Sequence, residues 1–161
     1  MFALIDKELP IFDKKFKTID FRNNGFSNEE RILNRIIFEN CRFDYLDLGF
    51  VTFENSVTFK HCVIKNGFFH SVHFKGDLII ENCIFEKETD FRCGEIYSSF
   101  TLLKTTFNEY VNFFDTFFNG KSEIVDCKFR QGTNLLSWRG AFKANPTIIG
   151  NIGNLDVDLN K

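Results

Sequence analysis

Five cysteines and three histidines are the residues with the most chemistry to offer. Thiolates and imidazoles ligate zinc, and a thiolate beside a base is a nucleophile. The spacing argues against both uses. No two cysteines stand in a CxxC or similar ligand spacing, and Cys41, Cys62 and Cys83 are instead 21 residues apart, with Cys127 further on at 44. His61, His70 and His73 are close in sequence, but neighbours in sequence must also converge in space to share a metal. Glu88 and Asp90 could serve as an acid–base pair only inside a cleft that separates their pKa values. No GxSxG, HExxH, phosphate-loop or dinucleotide motif is present. The sequence therefore implies no catalytic residue, no metal and no cofactor, and a chain that is not an enzyme.

The elements that would position these residues explain the cysteine spacing. From Phe38, steps of five or six residues land on Phe43, Leu48, Phe53, Phe59, Ile64, Phe69, Phe74, Ile80, Phe85, Phe91, Ile96, Leu102, Phe107, Phe113, Phe118, Ile124 and Phe129. These 18 positions hold twelve of the 23 Phe and six Leu or Ile, with no polar residue. Fourteen of the 18 residues two places earlier are no larger than valine, including Cys41, Gly67, Thr89 and Val111. Two inward positions separated by one outward residue is strand alternation, and the remaining residues of each unit turn a corner. A chain that turns every five residues closes after four units. Phe38, Phe59, Ile80, Leu102 and Ile124 are separated by 21, 21, 22 and 22 residues, so four-sided coils stack in register. The cysteines fall in one inward column of that stack and read as small buried hydrophobes. Cys93 falls at a corner, and the histidines fall on three different sides.

The small-x-Phe/Leu unit at five-residue spacing resembles the pentapeptide-repeat family. The resemblance implies an all-β fold, a right-handed quadrilateral β-helix, here of about 5.5 coils of 21–22 residues and roughly 26 Å long at ~4.8 Å per coil. Seven of the 18 steps are six rather than five, and Phe replaces the commoner Leu. The reading is a single domain: an N-terminal cap over 1–15, coils over 16–135, and a C-terminal cap or dimerisation segment over 136–161. An early coil is expected from Phe16, Phe21 and Phe26, with Phe16 over Phe38 at 22 residues. Ser27–Glu30 forms a capping-box pattern, so residues 28–34 are expected to bulge as a helical turn with Leu33 or Ile32 filling the corner. Apolar residues Phe2, Leu4, Ile5, Leu9, Ile11 and Phe12 are expected to lid one end. At the other end are Trp138, Phe142, Ile148, Ile149 and Ile152, and 155–159 alternates like a strand.

Surface chemistry remains as evidence of function. Net charge is −2, which excludes a polyanion and a general nucleic-acid binder. No apolar run of about 18 residues is present to span a membrane, and MFALIDKELP lacks a basic n-region and long apolar core. A cytoplasmic protein with free thiols is expected. Opposite charges are expected to face each other between coils in the columns Glu39–Lys60–Glu81 and Asp44–Lys65–Glu86 and the pair Glu54–Lys75. Phe50, Phe68, Tyr97, Phe114 and Phe117 fall at outward or corner positions and are the candidate partner-binding residues. The expected function is a non-enzymatic protein-binding module, with an unidentified protein partner and a homodimer through the C-terminal segment as a second use of that end. The family resemblance implies an immunity or regulatory protein that blocks its partner. The alternative it implies is a DNA mimic that binds a type II topoisomerase (gyrase), which the alternating charge disfavours.

Overall fold

Alternation of small and large inward residues, interrupted by a corner every five or six residues, dictates strands too short to be anything but the sides of a coil. The computed structural model describes residues 9–21, 31–138 and 141–157, and among them there is no helix. Its 23 strands are two to four residues long and form four parallel sheets of seven, six, five and five strands. Face one holds the longest strands, Ile36–Glu39, Val57–Lys60, Leu78–Glu81, Phe100–Leu103 and Ser122–Val125, with Ile11–Phe12 and Thr147–Ile149 at its edges. Face two runs from Lys15–Phe16 to Lys128–Phe129, face three from Ile19–Asp20 to Val111–Asn112, and face four from Arg31–Ile32 to Phe117–Phe118. The register matches the expected one: Phe38 faces Phe59, Phe59 faces Ile80, Ile80 faces Leu102 and Leu102 faces Ile124.

All 18 stepped positions are buried. Rings in adjacent coils lie nearly parallel, as in Phe85–Phe107–Phe129 with centroids 4.6 and 5.2 Å apart and Phe69–Phe91–Phe113 at 4.5 and 4.9 Å. The coil rise thus sets an offset-stacking distance that phenylalanine satisfies. The six-residue steps are confined to two corners. One lies between faces four and one in every coil, and the other between faces two and three in the later coils, which converts coils of 21 into coils of 22. At the first of these corners the coils approach so closely that a Cβ on Gly120 would sit 1.9 Å from the Ser98 carbonyl oxygen.

The other two corners are left-handed. Asp13, Asn40, His61, Asn82, Lys104 and Asp126 have φ between 47° and 55°, and Gly150 continues the column at 69°. Short polar side chains tolerate this region best, which accounts for the Asn and Asp in the column. Between faces three and four the left-handed residues are Phe50, Ser71, Cys93 and Asp115. Here the corner is built from face three: Asp47 accepts a hydrogen bond from the Gly49 amide, Asp90 from Arg92 and Asn112 from Phe114, at 2.8, 2.9 and 2.9 Å. These are Asx-turns, and the coil carrying Phe68 has none.

The ends depart from the expectation. Phe16 faces Phe43, not Phe38, and Ile11 faces Phe38, so the early coil takes 27 residues rather than 22. The cause is the interval from Phe21 to Ile32, both buried, which is far longer than one step. Residues 31–32 are a strand rather than part of a helical turn, and Ile32 fills the core while Leu33 is exposed. Phe2, Leu4, Ile5, Phe26, the Ser27–Glu30 pattern and Leu159 lie outside the described residues. Strand Ile11–Phe12, within the stretch expected to act as a lid, pairs with Ile36–Glu39. Residues 133–157 run one further turn on the same four faces, at a wider spacing: Phe118 faces Phe142, Ile124 faces Ile148 and Lys128 faces Ile152, each 24 residues on. Leu155–Val157 is not a strand; it is hydrogen-bonded to Leu136 and Thr133 at 2.9 Å.

Candidate functional site

The cysteine column carries packing. Cys41, Cys62, Cys83 and Cys127 are buried free thiols, each in the slot that follows the left-handed corner of faces one and two. Cys62, Cys83 and Cys127 donate to the carbonyl two residues back at 3.2–3.3 Å, and Thr105 does the same with its hydroxyl at 3.0 Å. Asn151 closes the column, accepting from the Cys127 amide and donating to the Ile124 carbonyl, both at 2.8 Å. Burial pushes the Cys127 thiol up to about 11. Contact with Cys62 and then burial push the Cys41 thiol up as well. Thiols held protonated are neither nucleophiles nor metal ligands. Cys93 is exposed at its corner, and there desolvation and the Asp115 charge raise its pKa against the opposing pull of Arg92.

The histidines do not converge. His61 is a corner of faces one and two, His70 a corner of faces three and four beside Phe50 (rings 5.4 Å apart), and His73 an outward residue of face four. Among the described residues no group of three or more His, Cys, Asp or Glu could hold a metal ion. Glu88 and Asp90 are likewise occupied by structure, since the Glu88 amide binds Glu109 and both Asp90 oxygens take the Arg92 guanidinium at 3.0 and 2.8 Å.

The charge columns hold in register but not in every partner. Lys60 lies between Glu39 and Glu81 and forms its ion pair with Glu81 at 3.3 Å. Glu86 is taken by Arg42, two coils away, at 3.2 and 3.4 Å through two nitrogens, and Lys65 makes no ion pair with a described residue. A guanidinium forks onto a carboxylate and displaces the single-point contact of an ammonium. Glu54 pairs with Arg31 at 2.8 Å, and Lys75 instead lies 3.3 Å over the Tyr97 ring.

The five expected aromatics divide into two sets. Phe50 rests on His70, Phe68 on Tyr45 at 5.2 Å, and Tyr97 under Lys75 with its hydroxyl on Glu95 at 2.5 Å. Burial pushes the Glu95 carboxyl up, but the hydrogen bonds from Tyr97 and Asn119 outweigh it and hold the group below the usual range. These three aromatics are spread along faces three and four. Phe114 and Phe117 come together with a residue the sequence reading placed in the cap, Trp138, which meets Phe117 edge-on at 4.9 Å. Phe114 and Trp138 remain 56% and 44% exposed. Between them lies a recess of about 280 Å³ lined by Phe113, Phe114, Asp115, Asn134, Ser137 and Trp138. Trp138 could have been placed from sequence by the repeat of Asn112 at Asn134, 22 residues on, which carries the corner into one more coil: Asn134 accepts from the Phe113 amide at 2.6 Å and donates to Asn112 at 2.9 Å.

Residues 51–92 match the family model for pentapeptide repeats (9 copies). The matched segment occupies the middle of the stack, and the same faces and register continue on both sides of it. No curated protein and no solved structure matches the chain. Among the described residues no helix is long and apolar enough to cross a membrane.

Proposed function

We propose, from the premise that this chain is a pentapeptide-repeat scaffold, that it is a non-enzymatic protein-binding module whose contact surface is the aromatic corner near the C-terminal end. One observation carries the reading. Most large apolar side chains are consumed by the core, yet Phe114 and Trp138 stand more than two-fifths exposed around a recess. Exposed aromatics on a rigid support are what partner anchors look like, because little conformational entropy is lost when they are covered. A role in blocking a partner, as an immunity or regulatory protein does, is compatible with a surface of this kind. The DNA-mimic reading has less support. Outward acids are neutralised one by one, Glu54 by Arg31, Glu81 by Lys60, Glu86 by Arg42, Asp90 by Arg92 and Glu109 by Lys87.

The test is affinity capture from the native host with the full chain and with a Phe114→Ala/Trp138→Ala double variant, followed by reconstitution with the purified partner. The expected partner binds the wild type, shifts the emission of the single tryptophan to the blue, and loses at least tenfold in affinity to the double variant while the melting temperature is unchanged. A partner bound equally well by the double variant overturns the surface assigned here. Capture of a topoisomerase that duplex DNA displaces reinstates the mimic.

A further inference from the structure

The recess has a chemical character that narrows what it takes. Its polar wall is already spent at Asn134, whose amide oxygen and nitrogen are both engaged. Its one charge is Asp115, which makes no hydrogen bond or ion pair with a described residue. The nearest cation on the same corner is Arg92, in register with Phe114 one coil away. It cannot serve Asp115, because Asp90 holds it through two nitrogens. Two aromatic faces and an unmatched carboxylate therefore share one opening.

The same molecule contains the completed version of this arrangement. On face four, Tyr97 carries Lys75 3.3 Å above its ring, with Glu95 beside it on the tyrosine hydroxyl. Aromatic, carboxylate and cation are all supplied by one chain. At the corner of Phe114 and Trp138 the aromatic and the carboxylate are present and the cation is missing. We infer that the recess is a socket for an arginine side chain presented by the partner protein, with the guanidinium against the Phe114 and Trp138 rings and Asp115 as its counter-charge. Arginine fits better than lysine because its planar head lies flat on an aromatic face and forks onto a carboxylate. This inference rests on the protein-binding reading and specifies the partner's contact.

The experiment selects random-sequence peptides on the intact protein and measures their affinity by Trp138 emission. Each selected peptide is remade with citrulline, the neutral isostere, or lysine for each arginine. Wild type is compared with Asp115→Asn, which keeps the left-handed backbone because asparagine tolerates it, and with Phe114→Ala/Trp138→Ala. The expected result is a set of peptides that need Trp138 and contain an arginine. Citrulline or Asp115→Asn each weakens binding about tenfold, and the two together weaken it little further. Selected peptides that need Trp138 but are indifferent to both changes overturn the arginine socket and leave the protein-binding surface standing. Lysine peptides that bind as well as arginine peptides overturn the choice of cation. A selection that yields no peptide dependent on Phe114 or Trp138 overturns both the socket and the surface.

Discussion

The coils between Phe38 and Phe129 and the turn that follows them use one plan with different tolerances. In the central coils the spacing is 21 or 22 residues, the stepped positions are all buried, and each ring is sandwiched by the next. In the last turn the spacing is 24, Phe142, Ile148 and Leu155 are only partly buried, and Ile149 and Ile152 are more than 60% exposed. The extra residues are accommodated around 136–141, where the chain swings wide between faces three and four and carries Trp138 outward. Strict repetition fills the tube and leaves no recess along it; relaxing the repeat by two residues opens one. Capacity for binding thus arises where the repeat loosens.

The comparison can be broken most forcefully in the core. Phe107→Ala removes a fully buried ring stacked between Phe85 and Phe129, and chemical denaturation should show a loss of about 3–5 kcal/mol. Phe142→Ala removes a half-covered ring stacked only on Phe118, and its loss should be less than half of that. Equal losses would mean that the last turn is as tightly packed as the centre. A smaller effect tests how coils are held at their corners. Asp77 accepts from the Ser98 and Ser99 hydroxyls at 2.6 and 2.7 Å and from the Ser99 amide at 3.0 Å, and these bonds lower its pKa. Its folded pKa lies below its unfolded one, so its contribution is present above the unfolded carboxyl pKa and is lost as pH falls through the folded value. Asp77→Asn should cost about 1 kcal/mol at neutral pH and flatten the acid limb of a stability–pH profile. An unchanged acid limb would remove Asp77 from the account. The smallest effect is expected on the surface: Lys60→Ala, which breaks the pair with Glu81, should cost no more than about 1 kcal/mol, and less in high salt.

The sequence was most legible where geometry leaves one answer. A ring that must repeat every coil can be counted, so the inward residues and the cysteine column fall where spacing puts them. Outward residues were legible only to the Cα. Lys75 does lie beside Glu54's coil, yet four rotatable bonds let it choose the Tyr97 ring, and Arg42 reaches past a coil to Glu86. The early coil was misjudged because Phe16 offers a plausible 22-residue partner in Phe38, and nothing local reveals that the stretch between Phe21 and Ile32 lengthens the coil to 27. The five candidate aromatics were found by subtraction from the core, which locates them but not their neighbours. That is why Phe50, Phe68 and Tyr97 turn out to have partners within the chain, while Trp138 and Asp115, which complete the recess, went unseen.

The shared register of the four sheets has a consequence for how such a chain can change in length. Deleting one residue from within a side would turn every later phenylalanine off its face. Deleting or duplicating a whole turn joins each strand to its second neighbour in the same sheet, with Phe38 then facing Ile80 as it had faced Phe59. Insertions and deletions are therefore quantised: the rod lengthens or shortens by about 4.8 Å per turn. The corners, by accepting five or six residues, allow a turn of 21 to be exchanged for one of 22. A lineage built this way can adjust how far its C-terminal recess stands from its other end without redesigning either.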